Sequence, residues 1–158
     1  MDSKIVKLIE TENRIGNSSF QGALGSVGQM ILFQLHKMNK FRGLGVAMVT
    51  PFHADGQIDF LGLENLTNHL IDGGVNYLVV MGTTGENPTI NNDEQQLILQ
   101  KVKEVNAGRL PIVFGIGGNN TAAVVDRLKT EKLSGVDGIL SVSPYYNKPS
   151  QEGIYQHF

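Results

Sequence analysis

Two short stretches carry residue types from which a reaction site can be built. "GTTGE" (Gly82 to Glu86) sets two adjacent hydroxyls between glycines, and "SPYYNKP" (Ser143 to Pro149) sets two adjacent phenols ahead of a lysine. Gly82 and Gly85 let the backbone turn tightly and approach a ligand, while Thr83 and Thr84 offer hydroxyls and two neighbouring N–H donors. That set suits a carboxylate or another small anion. The same turn can instead use its threonines to satisfy its own backbone. A Walker-type phosphate loop is disfavoured, because the glycine spacing differs and no Lys-Ser or Lys-Thr follows. Tyr145 and Tyr146 point different ways, so one can pack while the other presents a phenol as a proton carrier. Both can equally be packing or interface aromatics. "GGNN" (Gly117 to Asn120) can form a binding nest or a simple turn; the turn is the preferred reading, with Asn119 a candidate to face an effector. Glu86 reads as a tether for its own loop, and Asp59 as a helix cap.

These loops need a frame that brings them together. From Arg42 onward a unit repeats: a short apolar run, a loop rich in Gly, Asn, Thr or Pro, an amphipathic stretch, then a glycine. The runs are "VAMV" (Val46 to Val49), "YLVVM" (Tyr77 to Met81), "IVFGI" (Ile112 to Ile116) and "GILSV" (Gly138 to Val142). Continuous rather than alternating apolar character predicts strands buried on both faces. Between them, Asp59 caps a helix that buries Phe60, Leu63, Leu66, Leu70 and Ile71 and stops at Gly73-Gly74. "NNDEQQLILQKVKEV" carries Ile98, Val102 and Val105 on one face and ends before Gly108. Thr121 is the expected cap of a third helix reaching about Ser134, and Ser150 that of a fourth. "GGVNYLVV" and "SGVDGILSV" repeat the same exit from helix to strand. Strands alternating with helices predict an α/β fold with a parallel sheet, either doubly wound or a (β/α)8 barrel, with ligands at the carboxyl ends of the strands. Four such units make about half of a barrel.

Composition narrows the function classes. The 158 residues are 41% hydrophobic with a formal net charge of -2 and scattered Lys and Arg, which offers no basic stripe for nucleic acid or membrane lipid. The absence of cysteine excludes disulfides and thiolate chemistry and suits a cytoplasmic protein. His36, His53, His69 and His157 lack ligand spacing, so no metal is expected. The most apolar stretch, Ala23 to Leu35, is cut by Gly25, Gly28 and Gln29 and makes a poor signal peptide. Residues 1–37 stand outside the repeating pattern. They read as a poorly ordered extension with one helix candidate, Lys4 to Glu12, and residues 38–158 as the organised domain.

At "GVAMVTPF", "GTTGENPT", "GIGGNNT" and "SPYYNKPSQEGIYQHF" the chain from about Met38 to Phe158 resembles the N-terminal half of the dihydrodipicolinate synthases. These belong to the pyruvate-dependent class I aldolase superfamily, which also includes N-acetylneuraminate lyase. The resemblance implies a (β/α)8 TIM barrel of which about four βα units are present, a homo-oligomer arranged as a dimer of dimers, and no cofactor. It implies condensation of pyruvate, held as a Schiff base on a lysine, with aspartate semialdehyde in lysine and diaminopimelate biosynthesis. By the same resemblance Thr84 binds the pyruvate carboxylate, Thr83 and Tyr146 relay protons, and Tyr145 and Asn119 lie near an interface where a lysine effector binds. The family's Schiff-base lysine falls in the half that this chain does not span. Lys148 is no substitute, since an imine-forming amine must be neutral and Asn147, Pro149, Ser150 and Gln151 provide no apolar wall. Alternatives to the synthase are an N-acetylneuraminate lyase or sugar-acid aldolase, or a non-catalytic fragment acting as an interaction module. Asn92, Gln95 and Ala123, standing where lysine-sensitive relatives carry histidine and glutamate around the effector, imply weak or absent lysine inhibition.

Overall fold

The computed structural model describes residues 40–158 and the backbone of a two-residue strand, β1 (Val6–Lys7). The remaining strands are β2 (Gly45–Ala47), β3 (Tyr77–Val80), β4 (Ile112–Gly115) and β5 (Gly138–Leu140). Helices α1 (Phe60–Asp72), α2 (Asn92–Asn106) and α3 (Thr121–Thr130) connect them, and α4 (Gln151–His157) follows β5. The sheet order is β1-β5-β4-β3-β2; β2 to β5 run parallel to one another, and β1 pairs antiparallel with β5. A doubly wound sheet reverses its strand order at a switch point, whereas a barrel adds each strand beside the one before. Consecutive neighbours throughout β2 to β5 are therefore the arrangement of a partial (β/α) barrel.

Local sequence explains the helix ends. Asp59 accepts a hydrogen bond from the Gly62 N–H at 2.8 Å, and α1 stops at Gly73 followed by Gly74 in the left-handed region. Asn91 and Glu94 form a reciprocal capping box on α2, each side chain accepting from the other's backbone N–H at 3.0 Å. Ser150 caps α4 through the Gly153 N–H. Helix α3 departs from expectation at both ends. Its cap is Asn120, which accepts from the Ala123 N–H at 3.2 Å, while Thr121 shares a hydrogen bond with His157 Nδ1 at 2.8 Å. The helix stops at Thr130 rather than near Ser134, because Glu131 turns into extended backbone and its carboxylate is engaged by Arg127 and Gln96.

The core lies between the sheet and the α1–α2 pair. Leu63 from α1 and Ile98, Leu99 and Val102 from α2 pack with Leu78, Val80, Ile112, Phe114 and Ile139 from the sheet. Each such side chain stabilises the fold by about 1.5–3 kcal/mol through removal from water. Of β2 to β5, β4 alone is buried on both faces; Tyr77 and Val79 of β3 and Leu140 of β5 are half-buried, and Ala47 is exposed. The expectation of full burial thus holds for β4 and in part for β3 and β5, while β2 has no fully buried residue. Phe60, expected inside, sits at the edge of α1 with about a third of its surface exposed.

The N-terminal region also departs from expectation where it is described. Val6 and Lys7, inside the stretch expected to be helical, form a strand antiparallel to β5, with Val6 opposite Leu140 and Lys7 opposite Ile139. An unpaired strand edge presents N–H and C=O groups that any extended segment can satisfy. Here that demand outweighs a weak helical pattern. The rest of the expected extension, residues 1–37, and of the helix candidate lies outside the described residues.

Replacing Asn91 by Ala removes one half of the capping box. The expected cost is about 1 kcal/mol of stability, read as a lower urea midpoint with an unchanged slope.

Candidate active site at the strand ends

The carboxyl ends of β3, β4 and β5 border a cavity of about 430 Å³. Its walls are largely apolar: Met81 and Pro88 from the loop after β3, Leu140 and Val142 from around β5, and the ring of Tyr145. The polar side chains on it are Thr83, Asn87 and Ser141. Few polar groups in an apolar recess are what a small, oriented ligand requires.

The loop after β3 owes its path to backbone geometry. Met81 follows β3 with a positive φ of 56°, unusual for a residue with a side chain. Its carbonyl comes so close to β4 that a Cβ on Gly115 would lie 1.8 Å from the Met81 oxygen. Glycine is therefore obligatory at position 115. Asn87 clamps the crossing, its Nδ2 donating to the carbonyls of Met81 at 2.9 Å and of Gly115 at 3.3 Å. Thr83–Gly85 then forms a tight 3-10 turn, closed by the Gly85 N–H on the Gly82 carbonyl at 3.0 Å. Thr50 donates to the Gly85 carbonyl at 2.7 Å and fixes the far side of that turn.

A second tier holds Asn87 itself. Gln95, only 3% exposed, donates through Nε2 to the carbonyls of Asn87 at 3.1 Å and Ile90 at 2.7 Å. Its Oε1 accepts from Arg127 at 2.9 Å, and Arg127 also pairs with Glu131. The chain of contacts runs from α3 through α2 to the turn beneath Thr83. Tethering of the loop thus falls to Thr50, Asn87 and Gln95 rather than to Glu86, whose side chain is exposed.

Of the residues singled out from sequence, Thr83 and Tyr145 line the cavity together. Thr84 is exposed on the same turn and is not among the lining residues. Asn119 Oδ1 accepts from the Tyr145 backbone N–H at 2.8 Å, so these two are joined. Tyr146 is 94% exposed and does not line the cavity of its own chain. Its φ of 72°, bridged by a hydrogen bond from the Asn147 N–H to the Tyr145 carbonyl at 3.1 Å, marks a strained three-residue turn that presents the phenol outward. Lys148 is exposed, as its polar neighbours suggest. Sequence reasoning missed Asn87 and Ser141, and it took Gln95 as an effector position without seeing that its side chain supports the loop. Asn87 sits inside the quoted "GENPT", but only its crossing position over two strand ends reveals its use.

Comparison with known proteins places this geometry. A sequence profile described as the dihydrodipicolinate synthetase family matches residues 40–158. The chain belongs to this family. It is 56% identical over 121 residues to the 4-hydroxy-tetrahydrodipicolinate synthase of Flavobacterium psychrophilum, covering 77% of this chain and 41% of that relative. Against the enzyme of the same name from Porphyromonas gingivalis it is 51% identical over 119 residues, 75% of this chain and 40% of the relative. The chain thus spans about two fifths of the length of the curated relatives it matches. Among solved structures, a dihydrodipicolinate synthase from Acinetobacter baumannii, described as chloride inhibited and complexed with pyruvate, superposes with TM-score 0.71 at 42% identity, over 74% of this chain and 40% of that one. An N-acetylneuraminate lyase from Mycoplasma synoviae superposes with TM-score 0.68 at 30% identity, over 76% of this chain and 42% of that one. The lyase shares the family's frame at greater sequence distance.

Gly115→Ala tests the crossing that shapes the cavity. It is expected to destabilise the protein by about 3 kcal/mol, the upper end for an overpacked site, measured by urea denaturation.

Proposed function

We propose that this chain supplies the pyruvate-binding part of a 4-hydroxy-tetrahydrodipicolinate synthase. The observation that carries this reading is the Gly82–Gly85 turn, seated at the carboxyl ends of adjacent parallel strands with Thr83 on the wall of an apolar cavity. The pyruvate bound in the Acinetobacter relative supports a 2-oxo acid as the class of ligand. Thr84 is the carboxylate-binding residue, through its hydroxyl and backbone N–H. Thr83 relays protons from the cavity wall. Tyr146 completes the relay from a neighbouring copy of the chain, which accounts for a phenol held outward in a strained turn. The complete enzyme is a cytoplasmic homo-oligomer, a dimer of dimers, and uses no cofactor.

In that enzyme a neutral lysine amine condenses with the pyruvate carbonyl and releases water. Loss of a proton from the methyl carbon gives an enamine, whose carbon attacks the aldehyde of aspartate semialdehyde. Among the described residues no lysine lines the cavity, which supports assigning the amine to sequence beyond these residues. On this reading the 158-residue chain by itself binds pyruvate without a covalent adduct. Among the described residues no helix is long and apolar enough to cross a membrane.

Feedback by lysine is weak or absent on this reading. Gln95 has both ends of its amide engaged, by Asn87, Ile90 and Arg127, and turning it toward an effector would break buried hydrogen bonds. Asn92 and Ala123 add no charge for an ammonium group.

Three outcomes are expected. Pyruvate followed by borohydride leaves no adduct on the 158-residue chain in mass spectrometry; a stoichiometric adduct would show that one of its own lysines serves. Thr84→Val weakens pyruvate binding about tenfold or more, as loss of a hydrogen bond to a charged group requires, measured by chemical-shift titration. The full-length enzyme keeps more than half of its activity in the presence of about 1 mM lysine, an order-of-magnitude expectation for an effector pocket without a charged partner.

A further inference from the structure

The cavity holds one polar group that none of these roles uses. Ser141, the residue after β5, is 7% exposed and lines the cavity, and its Oγ has no hydrogen-bond partner among the described residues. A buried hydroxyl is normally paired, because water has been removed without replacement. What faces it is equally informative. A Cβ on Gly117 would lie 3.3 Å from Ser141 Oγ, so the missing side chain at 117 is what leaves space in front of this hydroxyl. A larger residue there would also press on the Val142 N–H, 2.8 Å from the same point. Gly117 and Ser141 together form a small polar notch between Leu140, Val142 and Tyr145.

We infer that Ser141 is a ligand-contacting residue, donating its hydroxyl hydrogen to an oxygen of the bound 2-oxo acid. The inference rests on the proposed function and deepens it, adding a third hydroxyl to those of Thr83 and Thr84. A carboxylate or keto oxygen is the group that fits. Among the lining side chains, Asn87 already commits its Nδ2 to the carbonyls of Met81 and Gly115, and the neighbouring walls are apolar. An uncommitted hydroxyl in such a wall takes an acceptor where the ligand brings one, and in low dielectric the bond is stronger than in water. The same notch disfavours a ligand that presents only methyl groups to it. Ser141 therefore contributes to selecting an oxygen-rich acid over an apolar one of equal size.

The test combines ligand titration with thermal unfolding. Pyruvate is titrated by chemical-shift perturbation into the 158-residue chain, the Ser141→Ala variant and the hydroxyl-retaining Ser141→Thr variant. The expected result is about tenfold weaker binding for Ser141→Ala, near wild-type binding for Ser141→Thr, and a Tm for Ser141→Ala equal to or above that of the parent. The Tm separates the roles, since deleting an unpaired buried hydroxyl does not destabilise while deleting a paired one does. Binding by Ser141→Ala within twofold of the parent overturns the inference and leaves the proposed function standing. A lowered Tm together with weakened binding also overturns it, by showing that the hydroxyl serves the fold. If the parent chain binds no pyruvate, the proposed function falls and the role of Ser141 falls with it.

Discussion

The site depends on one close approach, the Met81 carbonyl passing over Gly115. Parallel strands about 4.8 Å apart leave little room for a loop to cross a neighbour's end, and here the crossing is possible only because residue 115 has no side chain. Met81 adopts a left-handed backbone to make the turn, and Asn87 holds two carbonyls that would otherwise lie at the cavity edge without a donor. From that point the direction of Gly82, Thr83 and Thr84 follows. The two hydroxyls owe their place less to their own turn than to the strand exit before it.

Rigid support reaches this crossing from outside. The run from Glu131 through Arg127 and Gln95 to Asn87 is a polar connection from α3 through α2 to the loop. Its buried member, Gln95, is satisfied at both ends of its amide, the condition under which a buried polar network orders a structure instead of weakening it. Because α3 joins the network through Arg127, the Arg127–Glu131 contact at its C-terminal end is coupled to the loop that carries the hydroxyls.

The cavity combines this rigidity with little charge. Aliphatic and aromatic walls exclude water, and the hydroxyls offer hydrogen bonds without a fixed counter-charge. Such a place suits a small ligand that brings its own hydrogen-bond acceptors. Tyr146 stands apart from this cavity, its phenol held outward in a strained turn.

Much of this was legible in the sequence. The repeat of apolar run, loop and amphipathic stretch set out β2 to β5 and their helices, and Asp59, Asn91 and Ser150 marked helix starts, because these signals act over a few residues of chain. The turn around Thr83 and Thr84 and the phenols at 145 and 146 were visible for the same reason. Other features lay beyond it. The choice between a barrel and a doubly wound sheet depends on strand order, which is a relation between segments some thirty residues apart. Asn87 and Gln95 look like ordinary loop and helix residues until the strand ends and helix faces around them are in place. Thr121 reads as a cap and Lys4 to Glu12 as a helix, yet His157 and the free edge of β5 compete for them. Local propensity is worth tenths of a kilocalorie, and a tertiary partner that satisfies a buried or edge hydrogen bond is worth more. Residue types by themselves determined the units and the chemistry on offer; only the folded chain decided which groups meet, because meeting depends on distance in space and not along the backbone.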